Sequence, residues 1–201
     1  MKRSKRDLQK SRESIIALAA PVFNKYGYAG TRMDMVVAAT GYQKGGIYQH
    51  FESKMELAKA AFQYNFQKLF GGYLENIAED LSPKEKLMAF IRNYQYFVRN
   101  APVDGGCPIL NTATESDDVY EELRKIAAEA LDRWHRPLAT IISEGQKQGA
   151  FKSELEAEEI AAFIIATIEG AIMIGKLKLD ARLMLRIGEQ LIDYLEKVLF
   201  R

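Results

Sequence analysis

Helix-start signals recur along this chain so closely that little room is left for any other secondary structure. A Ser, Thr or Asp followed three residues later by an acidic residue stands at Thr31/Asp34, Ser53/Glu56, Ser82/Glu85, Asp118/Glu121 and Ser153/Glu156, with Pro83 at the first helical position of the third. Each such pair can satisfy free backbone N–H groups at a helix start from both sides. Apolar residues between these starts fall at helical spacing. Ile15, Ala19, Val22, Phe23 and Tyr26 make one face of the first helix, and Gly27 stops it. Strand-like alternation is absent, so the fold reads as all-α with about nine helices. The spacing predicts them at 11–26, 33–40, 44–51, 54–80, 83–99, 108–115, 118–149, 154–178 and 181–200. Pro137 is expected to kink or break the seventh. The clearest interior loop runs from Asn100 to Pro108 and contains the pair Gly105-Gly106.

Charge is unevenly placed. The net charge of the 201 residues is +1, but the stretch through Lys54 holds ten basic and four acidic side chains, +6, against eighteen and twenty-three, −5, in the remainder. A basic amino-terminal quarter on a mildly acidic body is the distribution of a DNA-reading module joined to something else. Residues 1–10 read as a flexible basic tail, 11–56 as the DNA-binding domain and 57–201 as a separate carboxy-terminal domain. The start of the chain lacks the apolar stretch of a signal peptide, and Cys107 has no second cysteine to pair with. Both features point to a reducing cytoplasm.

The second and third helices are short, and Gly41, Tyr42 and Gln43 alone separate them. A Gly-containing turn of this length lets the second of two helices stand out and enter a major groove. On that third helix Gln43, Lys44, Tyr48, Gln49 and His50 are polar or amphipathic, whereas Ile47 and Phe51 can point back into the core. Gly45 and Gly46 each weaken a helix by roughly 1 kcal/mol relative to Ala. They make sense where another molecule must approach the backbone closely. The segment 31–57, TRMDMVVAATGYQKGGIYQHFESKMEL, resembles the helix-turn-helix signature of the TetR/AcrR family of transcriptional regulators. The strong resemblance covers about residues 11–62. Gly46 stands where that family often has Thr or Ser, and Val37 where a small Ala is usual.

Position and chemistry then assign roles. Thr31 and Arg32 can present a hydroxyl, N–H groups and a cation to a phosphate. Gln43, Lys44 and Gln49 are the candidates for base edges, since Gln pairs bidentately with adenine and Lys donates to guanine. Tyr48 and His50 are assigned to phosphates, and Lys54 to a further one beside a positive helix end.

In the carboxy-terminal body the run 160–175, IAAFIIATIEGAIMIG, is apolar nearly all round, with one charge at Glu169. Sixteen residues with a charge do not favour a membrane span, so such a helix needs cover on every side. Met184, Gly188, Leu191, Leu195 and Val198 repeat like a helix-helix seam. The seam and the resemblance together imply a homodimer through an intersubunit four-helix bundle, with Ile164, Ile168, Ile172, Met184, Leu191 and Leu195 at its interface. The resemblance also implies a small-molecule effector site. Tyr94, Phe97, Trp134, Phe163 and Met173 are its candidate apolar lining, and plain core packing explains the same residues about as well. Glu169 is a sharper candidate, because a carboxylate in an apolar helix needs a partner, a raised pKa or a cationic ligand. The stretch Gly106-Cys107-Pro108-Ile109-Leu110-Asn111, followed by Glu115, resembles the GC-x-x-x-N motif of one branch of the family, which would put Cys107 and Asn111 at the pocket. Cys107 can also be weighed as a thiol sensor, although a lone buried cysteine is usually inert.

The expected function is a repressor that binds a pseudo-palindromic operator in double-stranded DNA and is released by an unidentified effector. A ligand-independent architectural or activating DNA-binder is the alternative. An enzyme is not expected: a di-metal carboxylate bundle wants two Glu-x-x-His pairs, and His50 and His135 supply neither. No metal, other cofactor or membrane partner is expected.

Overall fold

The computed structural model describes residues 5–71, 77–99 and 102–200, with side chains except at 5 and 95–99. Among these residues the elements are α1 (Lys5–Gly30), α2 (Met33–Thr40), α3 (Lys44–Tyr48), α4 (Lys54–Phe70), α5 (Pro83–Arg99), α6 (Pro108–Ser116), α7 (Glu121–Lys147), α8 (Ala157–Lys178) and α9 (Ala181–Val198). The described residues include no strand, and Phe151 and Phe200 form a single isolated bridge with stacked rings. The all-α expectation holds.

Several ends differ from expectation for identifiable reasons. α1 is helical from Lys5, so the segment read as a flexible tail is ordered helix from there on. Arg12 helps fix it, with its guanidinium 4.7 Å from the centre of the Phe51 ring and 3.3 Å from the Glu56 carboxylate. α4 ends at Phe70, ten residues early, just before the glycine pair 71–72. α7 and α8 each start three residues late: the Tyr120 carbonyl accepts the N–H of Leu123 and Arg124, and Glu156 is the N-cap of α8. Pro137 sits inside α7, which runs on to Lys147 unbroken. The Ser82/Glu85 box forms as expected: the Glu85 carboxylate accepts the Ser82 N–H at 2.9 Å, and the Ser82 hydroxyl accepts the Glu85 N–H at 3.4 Å.

The chain separates into two compact units. One takes in the chain up to Leu69 together with Val103–Ala128; the other takes in Phe70–Pro102 and Glu129–Arg201. The first is built on a core of Ile15, Ala19, Phe23, Val36, Ile47, Phe51 and Leu57, drawn from α1 to α4. α6 packs on α1 in the same unit.

In the second unit α9 packs against both α5 and α8. This corrects the expected dimer interface. Ile164, Ile168, Met184, Leu191 and Leu195 are buried within a single chain, and Ile172 is half-buried. The seam read from α9 is therefore an internal one, closed by α8 and α5. By length and composition Ala157–Lys178 could cross a membrane, but its Ala161, Ile164, Ile168, Ala171 and Gly175 face is buried in the unit. The opposite face of α8 carries Phe163, Ile174 and Leu177, all exposed, and Tyr194 of α9 lies beside Phe163 with ring centres 5.4 Å apart.

The expected effector lining does not come together as one set. Tyr94, Trp134 and Glu169 are in the second unit, with both Glu169 oxygens enclosed. Burial first, and the Glu169 charge second, push the Tyr94 phenol well above its ordinary range, while its hydroxyl reaches the Met184 carbonyl at 3.5 Å. Trp134 stacks on Phe90 at 6.1 Å. Phe163 and Met173 are exposed on α8, Phe163 beside Tyr194 of α9, and neither is enclosed among the described residues. Cys107 and Asn111 belong to the first unit, where Cys107 is buried. The Phe97 side chain lies outside the described residues.

Candidate nucleic-acid interface

The interface begins with the way α1 ends. Gly27 takes φ 70° and ψ 177°, a conformation suited to glycine, and interrupts the helical hydrogen-bonding of the next turn. The N–H groups of Tyr28 and Ala29 instead donate to the two oxygens of Glu115 on α6, each at 2.7 Å. A Cβ at position 27 would sit 2.6 Å from that carboxylate, so glycine is required twice over. Thr31 closes the corner: its hydroxyl donates to the Gly27 carbonyl at 2.6 Å and its N–H to the same oxygen at 3.2 Å.

This placement corrects the role expected for Thr31. It is fully buried and spends its hydroxyl on α1, so it neither caps α2 nor offers itself to a phosphate. Arg32 is the N-cap residue of α2 and is exposed, with its Nε 3.2 Å from Asp34. Desolvation raises the Asp34 pKa, but the bonds from Arg32 and the Met35 N–H outweigh it and hold the carboxyl below the usual range.

Gly41 then makes the turn with φ 73°, and its N–H donates to the Val37 carbonyl at 2.9 Å. The Thr40 hydroxyl, itself bonded to the Val36 carbonyl, accepts the Tyr42 N–H at 3.3 Å. Two successive bonds of this kind leave the turn little freedom, and α3 starts at a set angle. Ile47 is buried among Ile15, Val36, Phe51 and Leu57 and anchors α3 from beneath. Gln43, Lys44, Gly45, Tyr48 and Gln49 face outward, with Gly46 half-exposed between them. A Cβ at Gly45 or Gly46 would meet nothing within 4 Å. The fold of the chain itself therefore gives no packing reason for either glycine.

Two expected phosphate ligands are placed differently. His50 is half-buried and turns Nε2 inward, enclosed and without a hydrogen-bond partner. Lys54 is half-buried too, its ammonium 4.3 Å from the centre of the Tyr28 ring. Burial lowers its pKa, and the Glu115 charge partly offsets this. The exposed set is thus narrower than the sequence implied, and it consists of Arg32, Gln43, Lys44, Tyr48 and Gln49 around the two glycines. Asn24 and Asn65, which with Glu115 tie α1 to its neighbours, were not singled out by the sequence. Asn65 carried a signal, since it is the one polar residue in the buried stripe Leu57, Ala58, Ala61, Phe62, Asn65, Phe66.

Residues 15–61 match the model for bacterial regulatory proteins of the tetR family, and residues 83–191 match the tetracyclin repressor-like C-terminal domain. A TetR transcriptional regulator from Chloroflexus aurantiacus J-10-FL is 37% identical, with 97% of this chain and 98% of that one covered and a TM-score of 0.91. A TetR-family regulator from Cytophaga hutchinsonii is 35% identical over 98% of each chain, with a TM-score of 0.86. Among curated proteins, the HTH-type transcriptional repressor DhaR of Mycobacterium sp. (strain GP1) is 28% identical over 169 residues, 83% of each chain.

Proposed function

This chain belongs to the TetR family of bacterial regulatory proteins, and from that membership we propose that it is a homodimeric repressor that leaves a pseudo-palindromic operator when a small molecule binds its second unit. The observation that carries the DNA-binding part is the outward face of α3. Lys44, Tyr48 and Gln49 project beside two glycines that nothing in the chain demands, which is the form of a helix built to bring its backbone against a groove. Gln43 and Gln49 would read adenine and Lys44 guanine, with Arg32 and Tyr48 on phosphates.

The dimer is supported by the exposed strip Phe163, Ile174 and Leu177 on α8 with Tyr194 on α9. Phe163, Thr167, Gly170, Ile174 and Leu177 are spaced four, three, four and three residues apart, the repeat of a helix-helix seam. A two-fold partner on this strip would duplicate α3, as recognition of two half-sites about 34 Å apart requires. The effector reading rests on Tyr94, Trp134 and Glu169, an enclosed carboxylate and two aromatic groups in one unit. The chain crosses between its units at the end of α4, between Pro102 and Val103, and inside α7, and the two helices among these crossings are the route by which occupancy would reach α3.

Selection of bound duplexes from random DNA tests the proposal, followed by affinity measurement across a library of small molecules. Enrichment of an inverted repeat, and a compound that weakens binding to it, are the expected results. Binding without any enriched half-site would overturn the operator; affinity unmoved by any compound that binds the protein would overturn the release.

A further inference from the structure

The positive charge of the amino-terminal quarter is not carried by the helix-turn-helix itself. Residues 1–12 hold six basic side chains and one acidic, +5, whereas residues 13–54 hold four and three, +1. Most of those four basic groups are engaged within the chain. Arg32 is 3.2 Å from the Asp34 carboxylate, Lys54 lies 4.3 Å from the centre of the Tyr28 ring and Lys25 5.4 Å from that of Tyr26. Of the four, Lys44 alone is exposed and outside such contacts. That is a small supply for a duplex, because neutralised phosphates provide essentially all of non-specific DNA binding and a large share of specific binding.

The surplus lies along the start of α1. Arg6 and Lys10 stand four residues apart, neighbours on the helix surface. Both are exposed, and neither forms an ion pair with any described residue. Lys2, Arg3 and Lys5 belong to the same run of sequence, in which Asp7 is the one acid. Like charges at this spacing repel each other, and the helix dipole opposes cations at this end. Within the chain the run therefore gains nothing from its own neighbours. Its position is informative. Arg12 has its guanidinium 4.7 Å from the centre of the Phe51 ring and 3.3 Å from the Glu56 carboxylate, so α1 sets out from the corner where α3 ends and α4 begins. The outward-facing Gln49 is two residues before Phe51. At 1.5 Å per residue, Lys10 lies about 3 Å and Arg6 about 9 Å along the helix axis from Arg12.

We propose that the start of α1 is a second DNA-binding surface, on which Arg6 and Lys10, with the basic residues around them, hold the phosphate backbone flanking the half-site that α3 reads. The inference rests on the operator binding proposed above. A duplex laid against Tyr48 and Gln49 runs on past the corner anchored by Arg12, and it presents one charge per roughly 1.7 Å of its length. Cations placed there meet phosphates and no base edges. They add affinity and speed the encounter, and leave the choice of sequence to α3.

The test is the double variant Arg6→Gln, Lys10→Gln in the full chain, titrated against the operator that the unaltered protein selects, from about 0.05 to 0.5 M potassium chloride. Loss of roughly four phosphate contacts per dimer should lower the slope of log affinity against log salt by about 3–4. The variant should then bind about 10³-fold more weakly at the lowest salt and converge with the unaltered protein at the highest. Its melting temperature should not fall, and random duplexes should yield the same inverted repeat. The charge-keeping exchange Arg6→Lys, Lys10→Arg should bind like the unaltered protein. An unchanged affinity and slope in the double variant overturns the second surface and leaves the helix-turn-helix reading standing. Weaker binding with an unchanged slope also overturns it, since the lost groups then touch no phosphate. Unchanged DNA binding with lost sedimentation on phosphatidylserine vesicles would assign the surface to a membrane instead. An unaltered protein that enriches no operator overturns both readings together.

Discussion

At the scale of the residue, two small side chains in the helix-turn-helix make opposite predictions. Gly46 is a poor helix former in a helix, and a Cβ there meets nothing of the chain. Gly46→Ala should therefore leave the melting temperature unchanged or raise it, since alanine gains roughly 1 kcal/mol of helix propensity. Operator affinity should fall about tenfold if DNA occupies that space. Unaltered affinity would show that the backbone at position 46 is not approached. Thr31 is the reverse case. Its hydroxyl serves the Gly27 carbonyl from a fully buried position, so Thr31→Val should cost about 1 kcal/mol of stability. Its operator affinity should stay within about twofold, because nothing of the residue reaches the surface. A large loss of affinity without a fall in melting temperature would return Thr31 to the phosphate role. The sequence could not separate these two residues, because Thr followed by an acid three residues later reads as a cap whichever way the hydroxyl turns. What decided it was Gly27, whose left-handed φ carries its carbonyl to within reach of Thr31.

At the scale of the element, helix identity was legible and helix ends were less so. α2 and α5 match their expected bounds to the residue, α2 because Gly41 stops it and α5 because the Ser82/Glu85 box starts it. α4 shows the limit, since its apolar stripe runs up to the glycine pair 71–72, and propensity there outweighs periodicity. The face of a helix is harder still to read. α8 is apolar on two sides, and the sequence cannot say which side belongs to its own chain; Gly175 does so in the structure, since a Cβ there would collide with Met184 of α9. The turn between these two helices holds a further test. Leu179 closes α8 in the left-handed region at φ 52° and is 94% exposed. A left-handed residue with a side chain carries a strain of roughly 1–2 kcal/mol that glycine lacks. Leu179→Gly should raise stability by about 1 kcal/mol, seen as a higher denaturant midpoint with an unchanged slope. A lower midpoint would mean that the leucine side chain is covered in the folded assembly and contributes more than the strain costs.

At the scale of the whole molecule, the basic amino-terminal quarter and the acidic remainder assign different work to the two ends of the chain, and the exposed strip on α8 is the surface proposed to take a second copy. One chain offers DNA a single α3, held by a few polar contacts and a modest positive charge. Two rigidly joined chains bind the second half-site as an intramolecular event, and affinity gains about 10²-fold or more without any new contact. Ile174 is exposed on the proposed strip, clear of the buried face of α8, so Ile174→Lys should leave the helical fold and the melting of the isolated chain intact. In analytical ultracentrifugation it should sediment as a monomer at micromolar concentration, where the unaltered protein is expected to sediment as a dimer. Its operator affinity should drop about 10²-fold, and its salt dependence should flatten to about half the slope, because half the phosphates are released from their counterions per binding event. The corresponding change on the buried face, Ile168→Ala, should cost about 2–5 kcal/mol of stability whatever the oligomeric state. If Ile174→Lys remained dimeric while Ile168→Ala dissociated, the interface would lie on the side of α8 that packs against α9, and the two-fold arrangement of α3 would have to be sought elsewhere.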